Sequence, residues 1–74
     1  MRVEYTHHAR RRMRDRHITA TEVELAINDP QITVPDGDTG KTIFRRNVED
    51  RYIKVVALVT AYALVITTAV QGEE

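Results

Sequence analysis

The sequence contains no cysteine, no serine and no tryptophan, and its aromatic set is three tyrosines and one phenylalanine. Without cysteine there is neither a disulfide to staple a small fold nor a thiolate to hold zinc, so an apolar core or a partner chain must supply the stability. A cytoplasmic location is the expectation that fits. Without serine, a seryl nucleophile is excluded. No cationic start followed by an apolar run and a small-residue cleavage site is present, so no signal peptide is expected. A membrane span is not expected either. The longest uncharged segment, VVALVTAYALVITTAV at 55–70, falls short of the roughly 20 residues that a spanning helix needs, and its valines, isoleucine and threonines favour strands. At 74 residues, one domain covering 1–74 is expected, near the lower limit at which a chain buries enough apolar surface to fold alone. There is no internal repeat, low-complexity segment or linker.

What is present is charge, and it is segregated. The formal net charge is zero. Residues 1–17 hold six arginines against Glu4 and Asp15, whereas residues 18–40 hold five acids and no basic side chain. Residues 41–54 return to five basic groups against Glu49 and Asp50, and Glu73 and Glu74 complete the balance. Local fields, not the total, therefore govern partners.

Val3 to Tyr5 reads as a short first strand, after which the Thr6 hydroxyl caps a helix to about Arg16. Thr19-Ala-Thr-Glu22 has the spacing of a capping box and opens a second helix that ends near Asn28, because Pro30 disfavours helical geometry at the residue before it. QITVP, KTIFRRN, YIKVVAL and ALVITTAV follow as strands, separated by DGDTG and VEDR turns. The order β-α-α-β-β-β-β implies an α+β domain with two helices packed on one face of a four-stranded, mostly antiparallel sheet. The last two strands are apolar on both sides. Since two helices cover one sheet face, the second face is expected to be covered by another chain, in a homo-oligomer or a hetero-complex.

The stretch YTHHARRRMRDRH, residues 5–17, holds five arginines and three histidines. At about 100° per residue, Ala9 and Met13 share one stripe with Arg16 on its edge. His8 and Arg12 lie side by side at the margin of that stripe, and Arg10, Arg11 and Arg14 point outward. The bland expectation is a solvated face with pairs such as Arg11 with Asp15. The sharper one rests on His8 in the first helical turn, where unpaired N–H groups and the helix dipole attract anions, with Arg12 beside it. Arg45, Arg46, Arg51 and Lys54 come from central strands, so helix and sheet are expected to converge on one basic cleft. Such a cleft suits RNA: cations neutralise the backbone, and an imidazole exchanges protons with a 2′-hydroxyl or a leaving oxygen. No metal and no cofactor is expected, because the histidines lack metal-site spacing and DGDTG lacks the ending of a phosphate loop.

Tyr5-Thr-x-His8-Ala9-x-x-Arg12-Met13-x-x-Arg16-x-Ile18-Thr19, then Asn28-Asp29-Pro30, Arg51-x-Ile53-x-Val55-Val56 and Val65-Ile66-Thr67-Thr68-Ala69, resembles a family of small uncharacterised bacterial and archaeal domains. That family is similar in turn to RelE-like toxins, and the helix-helix-Asp29-Pro30 passage is similar to BrnT toxins. The resemblance implies a RelE-like fold, a metal-independent ribonuclease acting on RNA, on or off the ribosome, and an antitoxin partner that holds it inactive. Carried over by position, His8, Arg12 and Arg16 match a histidine-alanine-x-x-arginine pattern, and Thr68 matches a threonine near the end of the last strand. His8, Arg12 and Thr68 are thus the candidate catalytic residues, and Arg16, Arg45, Arg46, Arg51 and Lys54 the candidate RNA contacts. The chain departs from the family in having Val70 where an aromatic residue is usual, and in the link Val59-Thr60-Ala61-Tyr62, which leaves Tyr62 either in a tight turn or in a continuous strand. A non-catalytic RNA-binding or protein-interaction module of the same fold, including a structural homodimer, is the alternative.

Overall fold

A computed structural model describes the backbone of residues 2–71 and the side chains of residues 2–68. Its elements are β1 (Arg2–Tyr5), α1 (His7–Arg16), α2 (Ala20–Asn28), β2 (Ile32–Asp36), β3 (Lys41–Val48), β4 (Arg51–Val59) and β5 (Ala63–Gln71). Both helices start where side-chain oxygens stand in for missing backbone partners. The Thr6 hydroxyl accepts from the Ala9 N–H at 3.0 Å. At α2, Thr19 and Glu22 form a reciprocal capping box, with the Thr19 N–H donating to Glu22 Oε1 at 2.9 Å and the Glu22 N–H to Thr19 Oγ1 at 3.1 Å. His17 ends α1 in the left-handed region at φ 56°, turning the chain so that Ile18 is buried in the core.

The sheet has five strands in the order β1-β5-β4-β3-β2, which corrects the expectation of four. β1 joins it in parallel with β5, from Arg2 opposite Ala63 to Tyr5 opposite Ile66. The physical reason is twofold. Val3 and Tyr5 pack against the core, and β1 covers the edge of β5 that would otherwise present unpaired backbone groups. The other three pairings are antiparallel, so the sheet is mostly antiparallel as expected.

Strand alternation decides which side is buried. Ile53, Val55 and Ala57 of β4 are fully buried beneath the helices together with Ala9, Val23, Ala26 and Ile66, and Ile18 and Leu64 complete the cluster. α1 lies against β5 and α2 against β3 and β4. Lys54, Val56 and Leu58 alternate onto the opposite face, which no helix covers. Between β4 and β5 the register shifts at Val56/Ala57, which face Thr68 and Ile66. Thr67 is left as the extra residue of a bulge. Its hydroxyl donates to the Val56 carbonyl at 3.1 Å, and its carbonyl accepts from the Thr6 hydroxyl at 3.3 Å. The bulge therefore anchors the start of α1. Tyr62 sits in a turn, 85% exposed, because the Thr60 hydroxyl accepts from the N–H groups of Tyr62 at 3.2 Å and Ala63 at 2.9 Å. Among the described residues, no helix is long and apolar enough to cross a membrane.

Candidate nucleic-acid interface

The side chains of α1 divide by helical period. Ala9 is fully buried, and Met13 packs against the core. Turned away from that stripe, His8, Arg11, Arg12, Asp15 and Arg16 line a shallow groove of about 430 Å³. Their spacing of three and four residues places them along one flank of the helix. His8 and Arg12 are thus brought together as the sequence implied, with Arg16 one further turn along. Arg11, which the sequence pattern assigned to the outer face, also lines the groove. The signal that could have placed it there was its three- and four-residue spacing to His8 and Asp15.

At the amino end, Thr6 takes the N–H groups of Ala9 and Arg10, the latter through its carbonyl at 3.0 Å. Those of His7 and His8 have no intramolecular acceptor among the described residues. No acid stands in the first turn, so the positive end of the helix dipole is uncompensated there. None of the five arginines of α1 forms an ion pair among the described residues. The expected Arg11–Asp15 pair does not form either, since both side chains are exposed and such a pair gains little in water. The groove is consequently a strip of net positive charge, Arg11, Arg12 and Arg16 against the one carboxylate of Asp15.

The strand cations do not converge on it. Arg51 lies on the helix side of the sheet and donates to the carbonyls of His17 at 2.8 Å and Arg16 at 2.9 Å, while pairing with Glu22 at 3.4 Å. It closes the carboxyl end of α1 onto the start of α2. Arg46 does the same for the end of α2, donating to the Asp29 carbonyl at 2.7 Å and pairing with its carboxylate at 3.2 Å. Arg45 and Lys54 face each other in register on the uncovered side of the sheet. Thr68 shares that side, because it pairs with Val56. The single basic cleft expected from the sequence is therefore not formed. Strand alternation sends alternate residues to opposite faces, and the cations on the helix side are occupied by backbone carbonyls. The partners Glu22 and Asp29 carried no signal of this in the sequence.

Two other groups have perturbed acidity. Burial, followed by the nearby Glu24 carboxylate, raises the Tyr5 hydroxyl above its ordinary value. Hydrogen bonding from the Thr39 hydroxyl, reinforced by the Asp38 N–H, lowers the exposed Asp36 carboxyl. Neither touches the groove. Among the described residues, no group of three His, Asp or Glu side chains is placed to hold a metal.

The family model for DUF4258, a domain of unknown function, matches residues 5–71, and the chain belongs to that family. Comparison with curated proteins and with solved structures gave no match.

Proposed function

We propose that this member of a domain family of unknown function is an RNA-binding protein of the RelE-like and BrnT-like toxin type, which grips the RNA backbone along α1. The observation that carries this reading is the contrast in pairing: the arginines of α1 are unpaired among the described residues, whereas Arg46 and Arg51 are held by carbonyls and carboxylates. A helix flank with Arg11, Arg12 and Arg16 in line presents cations at a spacing that a phosphate chain can follow. His8 supplies the chemistry in this reading. It removes the proton from a 2′-hydroxyl, whose oxygen attacks the adjacent phosphorus; the 5′-oxygen then leaves and takes up a proton from water. The products are a 2′,3′-cyclic phosphate and a 5′-hydroxyl end, with Arg12 neutralising the non-bridging oxygens. The two helices ahead of the antiparallel β2–β5 run, and the His8–Arg12 adjacency, support kinship with those toxins. An antitoxin chain held against the uncovered sheet face belongs to the same reading.

The test is single-stranded RNA binding followed across salt, alongside mapping of cleaved ends. Each neutralised phosphate adds roughly −0.7 to the log–log slope, so Arg12→Ala should lower both affinity and slope. His8→Ala should leave binding in place and reduce cleavage by about 10²-fold or more. Binding and cleavage unchanged in both variants would make α1 a solvated surface helix only. Binding without cleavage in the wild-type protein would establish the non-catalytic module, for which the exposed apolar side chains Ile32, Val34, Leu58 and Val59 speak.

A further inference from the structure

On the side of the sheet away from the helices, two cations stand directly opposite one another. Arg45 of β3 pairs in register with Lys54 of β4, and neither has an ion-pair partner among the described residues. Like charges in that arrangement repel. The Nε of Arg45 is also buried with no hydrogen-bond acceptor, a donor whose desolvation nothing in the chain offsets. Around this pair the register places Ile32, Val34, Ile43, Val56 and Leu58 on the same face. Ile32 is 45% exposed, Val34 41% and Leu58 37%.

We propose that this face docks a segment of a partner protein that carries an apolar stripe flanked by carboxylates, with the carboxylates seated between Arg45 and Lys54. The inference rests on the partner half of the function proposed above and not on its RNA half, because α1 takes no part. Charge complementarity selects the occupant. A carboxylate there relieves the Arg45–Lys54 repulsion and gives the buried Nε an acceptor, while the surrounding aliphatic side chains leave water. RNA phosphates would satisfy the cations but not five apolar neighbours, since nucleic-acid interfaces are more polar and more charged. A second copy meets the cations poorly, because the acids of this face already have companions: Glu4 pairs with Arg2 at 2.8 Å, and Asp36 stands opposite Lys41.

Two synthetic amphipathic peptides test this. They share one leucine stripe and carry either glutamate or lysine at every polar position, and each is titrated into the isotopically labelled protein while amide shifts are followed. The glutamate peptide should move the amides of β2, β3 and β4 and bind at least about tenfold more tightly than the lysine peptide. Lys54→Glu should reverse that preference. Arg45→Gln, which removes the charge and keeps a polar side chain on β3, should weaken the glutamate peptide. Failure of the glutamate peptide to bind, equal affinity for both peptides, or shifts confined to α1 would overturn the proposal. So would polyuridylate RNA moving the β3–β4 amides, or a sedimenting dimer that occludes them and resists the glutamate peptide. RNA-induced shifts on α1 that vanish in Arg12→Ala report on the RNA reading alone, so the two can fail separately.

Discussion

The two helices of this protein are near in length and opposite in charge, and they differ most in what meets their charges. α1 carries five arginines and one aspartate with no ion pair among the described residues. α2 carries Glu22 and Glu24, is closed by Asp29, and has no basic residue. Two of those three acids are met by strand arginines. Both helices begin on a threonine cap, so the difference lies downstream of local structure, in which charges face the sheet. Charge that meets a partner across the core boundary fixes the helix; charge that does not is left available to a ligand. Density of charge in the sequence does not distinguish the two cases, but register does.

Among the arginines that fix the helices, Arg51 reaches two carbonyls and a carboxylate with its side chain only 26% exposed. Arg51→Ala should destabilise the fold by about 2 kcal/mol, because it removes three charge-assisted contacts at once and leaves the partly buried Glu22 carboxylate without its cation. Urea unfolding would show this as a lowered midpoint at similar slope. A loss no larger than that of Arg14→Ala would refute the division into fixing and free arginines. Next come the caps. Thr6→Ala and Thr19→Ala should each cost about 1 kcal/mol, and Thr21→Ala, two residues past the Thr19 cap and outside the capping box, much less. Thr6 tests the link to the bulge as well, since its hydroxyl also donates to Thr67, and a larger loss there than at Thr19 would sharpen the contrast. Smaller still, Arg10→Ala and Arg14→Ala should change stability by no more than about 0.5 kcal/mol in unfolding experiments.

The smallest effect lies in the β2–β3 turn, remote from both helices. The Asp36 carboxyl is depressed below its ordinary value of 3.8 when folded. Its contribution is therefore fully present above that value and is lost as pH falls through the folded value. Asp36→Asn should remove that small contribution at neutral pH, leave stability in strong acid unchanged, and so flatten the acid limb of a stability–pH curve. An unchanged acid limb would show that the Thr39 contact is not retained in solution.

Much of the framework was legible because it is local. Thr6, the Thr19–Glu22 box and Pro30 bound the helices through contacts within three or four residues, and the turn chemistry of DGDTG separates β2 from β3. The side-by-side placement of His8 and Arg12 was legible for the same reason, being set by helical period alone. What could not be read depends on pairings distant in sequence. Val3 and Tyr5 suggest a strand but not its parallel partner. The run Phe44-Arg45-Arg46 reads as one basic cluster, and only the register with β4 shows that Arg45 and Arg46 point to opposite faces. Tyr62 was ambiguous because Thr60 builds its turn with a side chain, without the glycine or asparagine that usually marks one.

The pairing of β1 with β5 has a kinetic consequence. The two strands that complete one edge of the sheet come from opposite ends of the described chain, and the contact between Thr6 and Thr67 spans 61 positions. As the polypeptide emerges from a ribosome, the helices and the β2–β3–β4 meander can form while β1 still waits for β5 to be synthesised. Contacts of that separation are entropically late and slow folding. The last event should therefore be the zipping of β1 onto β5. Because the Thr67 bulge tethers the start of α1, the arginine-bearing helix should take up its final position only in that step.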